Sequence, residues 1–97
     1  MNPTPEFTRT VVVNLQNGLH LVPSSLIVKL AQKFSCEVRL RKGDRAVDGK
    51  SVLDLITLAA EHGEVLQVEA CGADAAEALK AIAGLFERNF DNVEPSA

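Results

Sequence analysis

Residues Cys36 to Arg41 alternate without a break: Cys36, Val38 and Leu40 are apolar, while Glu37, Arg39 and Arg41 are charged. That period of two predicts a half-buried strand. Lys42-Gly43-Asp44 reads as a tight turn, after which Arg45 to Val47 returns as a short partner strand. The alternation recurs from Glu64 to Cys71, with Leu66, Val68 and Ala70 inward and Gln67 and Glu69 outward. A further strand is expected over Thr8 to Asn14, which is rich in β-branched residues. Its run Val11-Val12-Val13 does not alternate, so the buried face there stays open.

Between these segments the apolar spacing lengthens to that of helices. Leu26, Ile27, Leu30, Ala31 and Phe34 lie on one face of a helix predicted over Val22 to Phe34, with Lys29, Gln32 and Lys33 on its wet side. Pro23 falls in the first turn, where a missing N–H costs nothing. Ser51 reads as the N-cap of a short helix from Val52 to about Ala60, with Asp54 three positions on as an approximate capping box. Its Val52, Leu53, Leu55, Ile56 and Leu58 span more than one face, so part of that surface is expected to stay exposed. Gly63 is expected to close the helix in a left-handed cap. Asp74 and Glu77 form a second capping signature before a helix from Ala75 to about Arg88, whose buried stripe is Leu79, Ile82 and Phe86. The order β-α-β-β-α-β-α argues for a two-layer α+β sandwich. Residues 1–7 read as a disordered lead-in, 8–90 as one domain and 91–97 as a flexible polar tail.

Composition narrows the function. Ninety-seven residues with no Trp, no Tyr and four Phe argue against an aromatic-lined pocket or a base-stacking platform. The net charge of −3 gives no general attraction to nucleic acid or an anionic membrane. The basic run Arg39, Arg41, Lys42 and Arg45 reads as a solvated strand edge and turn. Met1 to Thr10 holds two prolines and a glutamate where a signal peptide would need a basic start and an apolar run, and no apolar segment is long enough to cross a bilayer. Cys36 and Cys71 form no CxxC pair and lack a histidine at metal-ligand spacing. They read as reduced thiols of a cytoplasmic protein that needs neither metal nor cofactor.

The chain has two histidines. His62, in Glu-His-Gly at a helix end, reads as structural or neutral. His20 lies between the turn Gln16-Asn17-Gly18 and the start of a helix, where unpaired N–H groups and the positive end of the dipole favour an anion. An imidazole there could carry a phosphoryl group, with Gly18 bending the loop and Asn17 orienting the ring. A capping or surface role for His20 fits the same position. One histidine with no general acid, metal cluster or phosphate-binding loop is too little apparatus for an autonomous enzyme.

Asn17-Gly18-Leu19-His20-Leu21-Val22-Pro23-Ser24 resembles the active-site signature of HPr proteins, the histidine-containing phosphocarriers of bacterial sugar phosphotransferase systems, which usually runs Gly-Leu-His-x-Arg-Pro-Ala. Gly49-Lys50-Ser51-Val52-Leu53 resembles their second signature, which contains a regulatory serine. The resemblance covers about residues 8–90. It implies a four-stranded antiparallel sheet covered on one face by three helices, and a monomer. The second and last strands would be neighbours, bringing Cys36 and Cys71 close, as free thiols.

The resemblance further implies that His20 accepts a phosphoryl group from phosphorylated Enzyme I and passes it to EIIA domains, without nucleic-acid binding or membrane insertion. Gly18, Asn17, Leu21 and Val22 would support the ring and phosphate. Val22, Ser25, Leu26 and Lys29 of the first helix and Val52, Leu53 and Leu55 of the second would contact partners. Ser51 would be the target of an HPr kinase/phosphorylase. Two positions depart from the family pattern. Val22 replaces an arginine that pairs with the phosphate and with partner carboxylates, and Asp54 puts a negative charge where partners are generally acidic. A working carrier, a regulatory homologue read through Ser51, and a plain interaction module are the three expectations that follow.

Overall fold

The computed structural model describes residues 7–91. Four strands, β1 (Phe7–Val12), β2 (Glu37–Lys42), β3 (Arg45–Asp48) and β4 (Val65–Cys71), alternate with three helices, α1 (Leu21–Ala31), α2 (Val52–Leu58) and α3 (Ala75–Glu87), and a 3-10 turn follows at Asn89–Asp91. The strands form one antiparallel sheet in the order β1-β4-β2-β3. The three helices cover one face, giving the open-faced sandwich expected.

Register follows from which side chains must be dry. Val11 and Val13 are buried while Val12 is half exposed, so the triple valine alternates after all. β2 runs as predicted, with Val38 and Leu40 buried on the helix side. Glu69 corrects the expectation for the outer face. It points away from the helices yet is buried, because the Arg41 guanidinium covers it and donates to its carboxylate at 2.8 Å. Cys71 pairs with Glu37 and Cys36 is the residue before, so the two cysteines are near in the sheet but on opposite faces. Both are free thiols. Alternation, not distance, keeps them apart.

Element ends differ from the sequence reading for identifiable reasons. β1 stops at Val12, but Val13 remains tied to the start of β4 through its N–H to Glu64 O and its carbonyl to Gly63 N–H, at 2.9 and 2.7 Å. α1 stops at Ala31, and residues up to Phe34 continue as a tightened turn in which Lys33 and Phe34 donate to Leu30 O and Ala31 O. α2 ends at Leu58, and the left-handed cap is Ala59 (φ 55°, ψ 43°) rather than Gly63. The carbonyls there have other donors: Arg45 Nη1 to Thr57 O, Lys42 Nζ to Ala59 O and Leu19 N–H to Ala60 O, at 2.8, 3.2 and 2.9 Å.

The two capping signatures are also rewired. Ser51 Oγ accepts the Asp54 N–H at 3.2 Å, but the Asp54 carboxylate accepts from Asp48 N–H instead of closing the box on Ser51. Asp74 is the N-cap of α3 by position, yet its carboxylate does not cap that helix. It accepts Ser35 N–H and Cys36 N–H at 2.9 Å each and the Ser35 hydroxyl at 3.3 Å, stitching the α1–β2 loop to α3. The Ser35 N–H is the main reason this carboxyl lies below its usual range. Burial pushes the Cys36 thiol up, and the Asp74 carboxylate adds to that. Phe90 went unread in the sequence. It is buried at the end of the fold, its ring edge-on to Phe86 at 4.8 Å.

Candidate functional site

Gly18 N–H donates to Leu15 O at 2.9 Å, closing a turn over Gln16 and Asn17 before the first helix. Gly18 has φ +68°, and a Cβ on it would lie 2.4 Å from Ala60 O and 3.1 Å from Glu61 Cα. Glycine is therefore required both by conformation and by the closeness of the α2–β4 connection. Leu19 follows as an anchor, with its side chain buried and its N–H on Ala60 O.

His20 is the N-cap of α1, extended at φ −85° and ψ −166°. Its carbonyl accepts the Ser24 N–H at 3.1 Å, the first helical bond. Its side chain makes no capping bond to the helix. The ring is half-buried, with Nε2 shielded from solvent. Of the first-turn residues, Leu21 and Val22 carry N–H groups that an α-helix leaves without a partner in its own ladder, and Pro23 has none. Ser24 and Ser25 fasten this turn, donating to Leu19 O and Leu21 O at 3.3 and 2.8 Å.

The surroundings are apolar. Leu21 and Val22 are 59% and 47% exposed, and on α2, which packs against α1, Leu53 and Ile56 are 71% and 40% exposed. No charged residue occurs from Leu21 to Val28, and α2 carries only Asp54. Asn17 is exposed in the turn and Gly18 is buried beneath it. Ser25 is half-buried, Lys29 exposed, and Leu26 and Val52 pack partly against the core. Leu55 is a correction: it is fully buried in the core and offers nothing to a partner. Ile56, absent from the expected partner contacts, is exposed in place of Leu55, and its three-residue spacing from Leu53 was the available signal.

Ser51 is half-buried at the start of α2, and the preceding Lys50 reaches back to Phe34 O with its Nζ at 2.7 Å. Among the described residues no group of three or more His, Cys, Asp or Glu is placed to hold a metal ion, and no helix is long and apolar enough to cross a membrane.

A family profile described as the PTS HPr component phosphorylation site matches residues 7–88. The chain is 40% identical over 77 residues to the phosphocarrier protein HPr of Neisseria meningitidis, covering 79% of this chain and 86% of that protein. Among solved structures it is similar to HPr from Thermoanaerobacter tengcongensis, with a TM-score of 0.85 and 32% identity over 93% of this chain and 99% of that one. It is also similar to HPr from Bacillus anthracis, with a TM-score of 0.77 and 32% identity over 82% and 95% of the two chains.

Proposed function

Since the chain belongs to the HPr family of phosphotransferase-system phosphocarriers, we propose that His20 is its phosphoryl acceptor and that Val22 is compatible with the relay. Proteins of this family carry phosphoryl groups rather than act as autonomous catalysts, exchanging them with Enzyme I and EIIA domains. The observation that carries the assignment to His20 is its place at the N-cap of α1, with a ring that leaves the helix uncapped beside the Leu21 and Val22 N–H groups.

In the proposed step a lone pair of the His20 ring attacks the phosphorus of the donor phosphohistidine. The donor P–N bond breaks, and its electron pair returns to the donor ring. Burial of Nε2 favours Nδ1 as the attacking atom, with the proton retained on Nε2. The phosphoryl oxygens then face the first-turn N–H groups and the positive end of the helix dipole. The reverse sequence delivers the group to an acceptor. The apolar exposure of Leu21, Val22, Leu53 and Ile56 supports docking on this side of the molecule.

The test is incubation with phosphoenolpyruvate and Enzyme I, followed by intact mass before and after mild acid. One phosphate that acid removes and that His20→Ala abolishes is the expected result. No phosphate, under conditions where a control HPr is fully charged, overturns it.

Ser51 is proposed as a regulatory phosphorylation site for an ATP-dependent HPr kinase/phosphorylase. Its support is position: Ser51 opens the helix that exposes Leu53 and Ile56, and a phosphate there would stand beside the Asp54 carboxylate. An acid-stable phosphate lost in Ser51→Ala is expected after incubation with the kinase and ATP, and its absence refutes this assignment alone.

A further inference from the structure

The second histidine is tied to the loop that delivers the first. His62 Nδ1 lies 3.2 Å from Leu15 O, the same carbonyl that accepts the Gly18 N–H at 2.9 Å. A carbonyl oxygen has two lone pairs and can serve both. Facing that oxygen, Nδ1 must carry the hydrogen, because two opposed lone pairs would repel. The contact is one of a set. Gly63 N–H donates to Val13 O, Val13 N–H to Glu64 O, and Leu19 N–H to Ala60 O. The α2–β4 connection thus holds the β1–α1 loop on both sides of the turn, and His62 holds its middle.

The geometry points to His62 as a positioning residue for phosphoryl transfer at His20. By fixing Leu15 O, its Nδ1–H sets the tilt of the Leu15–Gly18 turn. The turn in turn sets the ring, since Gly18 O accepts the His20 N–H at 2.9 Å. Leu15 itself is a fixed point, its side chain fully buried in the core. His62 is exposed, so its removal should loosen the loop without unfolding the domain. This inference rests on His20 being the phosphoryl acceptor.

The experiment compares the unmodified chain with His62→Ala and His62→Asn, the latter because an Asn Nδ2 can place an N–H donor where Nδ1 stood. Three readouts are taken: the rate of phosphorylation by Enzyme I and phosphoenolpyruvate, hydrogen exchange of the Gly18 amide, and the melting temperature. Loss of one hydrogen bond from the loop should slow transfer in His62→Ala by roughly three- to tenfold and speed Gly18 exchange by a similar factor. His62→Asn should restore both, and His62→Ala should still melt cooperatively, lower by no more than the several degrees that one hydrogen bond accounts for. A His62→Ala protein with unchanged transfer and exchange overturns the proposal, as does a loss that Asn does not restore. If the unmodified chain takes no phosphate, the assignment of His20 fails, and Gly18 exchange alone decides whether His62 holds the turn.

Discussion

Replacing Gly18 by alanine tests how the loop before His20 is held. Two costs add. The residue sits at φ +68°, where an L side chain costs about 1–2 kcal/mol. Its Cβ would also stand 2.4 Å from Ala60 O and 3.1 Å from Glu61 Cα, and both are backbone. Ala60 O cannot withdraw cheaply, because it accepts the Leu19 N–H at 2.9 Å. Relieving such overpacking costs about 1–3 kcal/mol, and the lower entropy of the unfolded alanine chain offsets about 0.4–1 kcal/mol. The sum, about 1–5 kcal/mol, is a large share of a small domain's total stability. Gly43→Ala is the control: φ is +59° and nothing lies within 4 Å of its Cβ, so it bears the conformational cost alone. Urea unfolding followed by circular dichroism should show Gly18→Ala losing clearly more than Gly43→Ala, by about 1–3 kcal/mol. At about 4–8 °C per kcal/mol for a domain of this size, that gap is also plain in melting temperature. Equal losses would refute the claim that the α2–β4 connection presses on this loop.

Three more outcomes follow from the packing. Ala59→Gly should raise stability by up to about 1 kcal/mol, since it relieves a left-handed alanine at the end of α2; a lower urea midpoint would contradict this. Leu55→Ala should cost about 2–5 kcal/mol, whereas Leu53→Ala, on a side chain 71% exposed, should stay within about 0.5 kcal/mol yet slow transfer from Enzyme I; equal destabilisation by the two would show the helix faces to be misassigned. Asp74→Asn should melt lower at neutral pH. Because the native Asp74 carboxyl is held below its ordinary value, chiefly by Ser35 N–H, its contribution is complete above about pH 4 and fades as pH falls through the native value. The gap between the two proteins should therefore close on acidification, and a constant gap would count against it.

The architecture was readable because its signals are local. Strict alternation at Cys36 to Arg41 and helical spacing around Ile27 each report which side of one element is dry. What escaped the sequence depends on partners distant in the chain. Asp74 looks like an N-cap in every local respect, but its carboxylate bonds Ser35 and Cys36, some 39 residues away. Glu69 alternates outward as expected, yet it is buried on an inner strand and takes a hydrogen bond from Arg41, which lies 28 residues away. Leu55 and Ile56 are neighbours of similar hydropathy, and the docking of α2 on α1 and β3 decides that one is core and the other surface. His20 is a candidate that its motif singles out, whereas the contact of His62 with Leu15 O spans 47 residues and nothing in Glu-His-Gly announces it.

With His20 as the proposed phosphoryl acceptor, a valine at position 22, where the family resemblance implies an arginine, would separate two contributions that are otherwise joined. In that proposal the first turn would stabilise the phosphoryl group through backbone N–H groups, which valine keeps, and through the dipole of an 11-residue helix, which no side chain at this position alters. What valine lacks is a cation able to reach past the helix end towards a docked protein. No residue from Leu21 to Val28 supplies one instead. Intrinsic persistence of the phosphorylated state and exchange with partners should therefore respond differently to Val22→Arg. Charged with phosphate and freed of Enzyme I, the two proteins should hydrolyse at closely similar rates, because the same N–H groups face the phosphoryl oxygens in both. Mixed with Enzyme I, the arginine variant should exchange phosphate faster. A hydrolysis rate that shifts as much as the exchange rate would place the arginine's action on the phosphoryl group itself and refute the division between backbone and side chain.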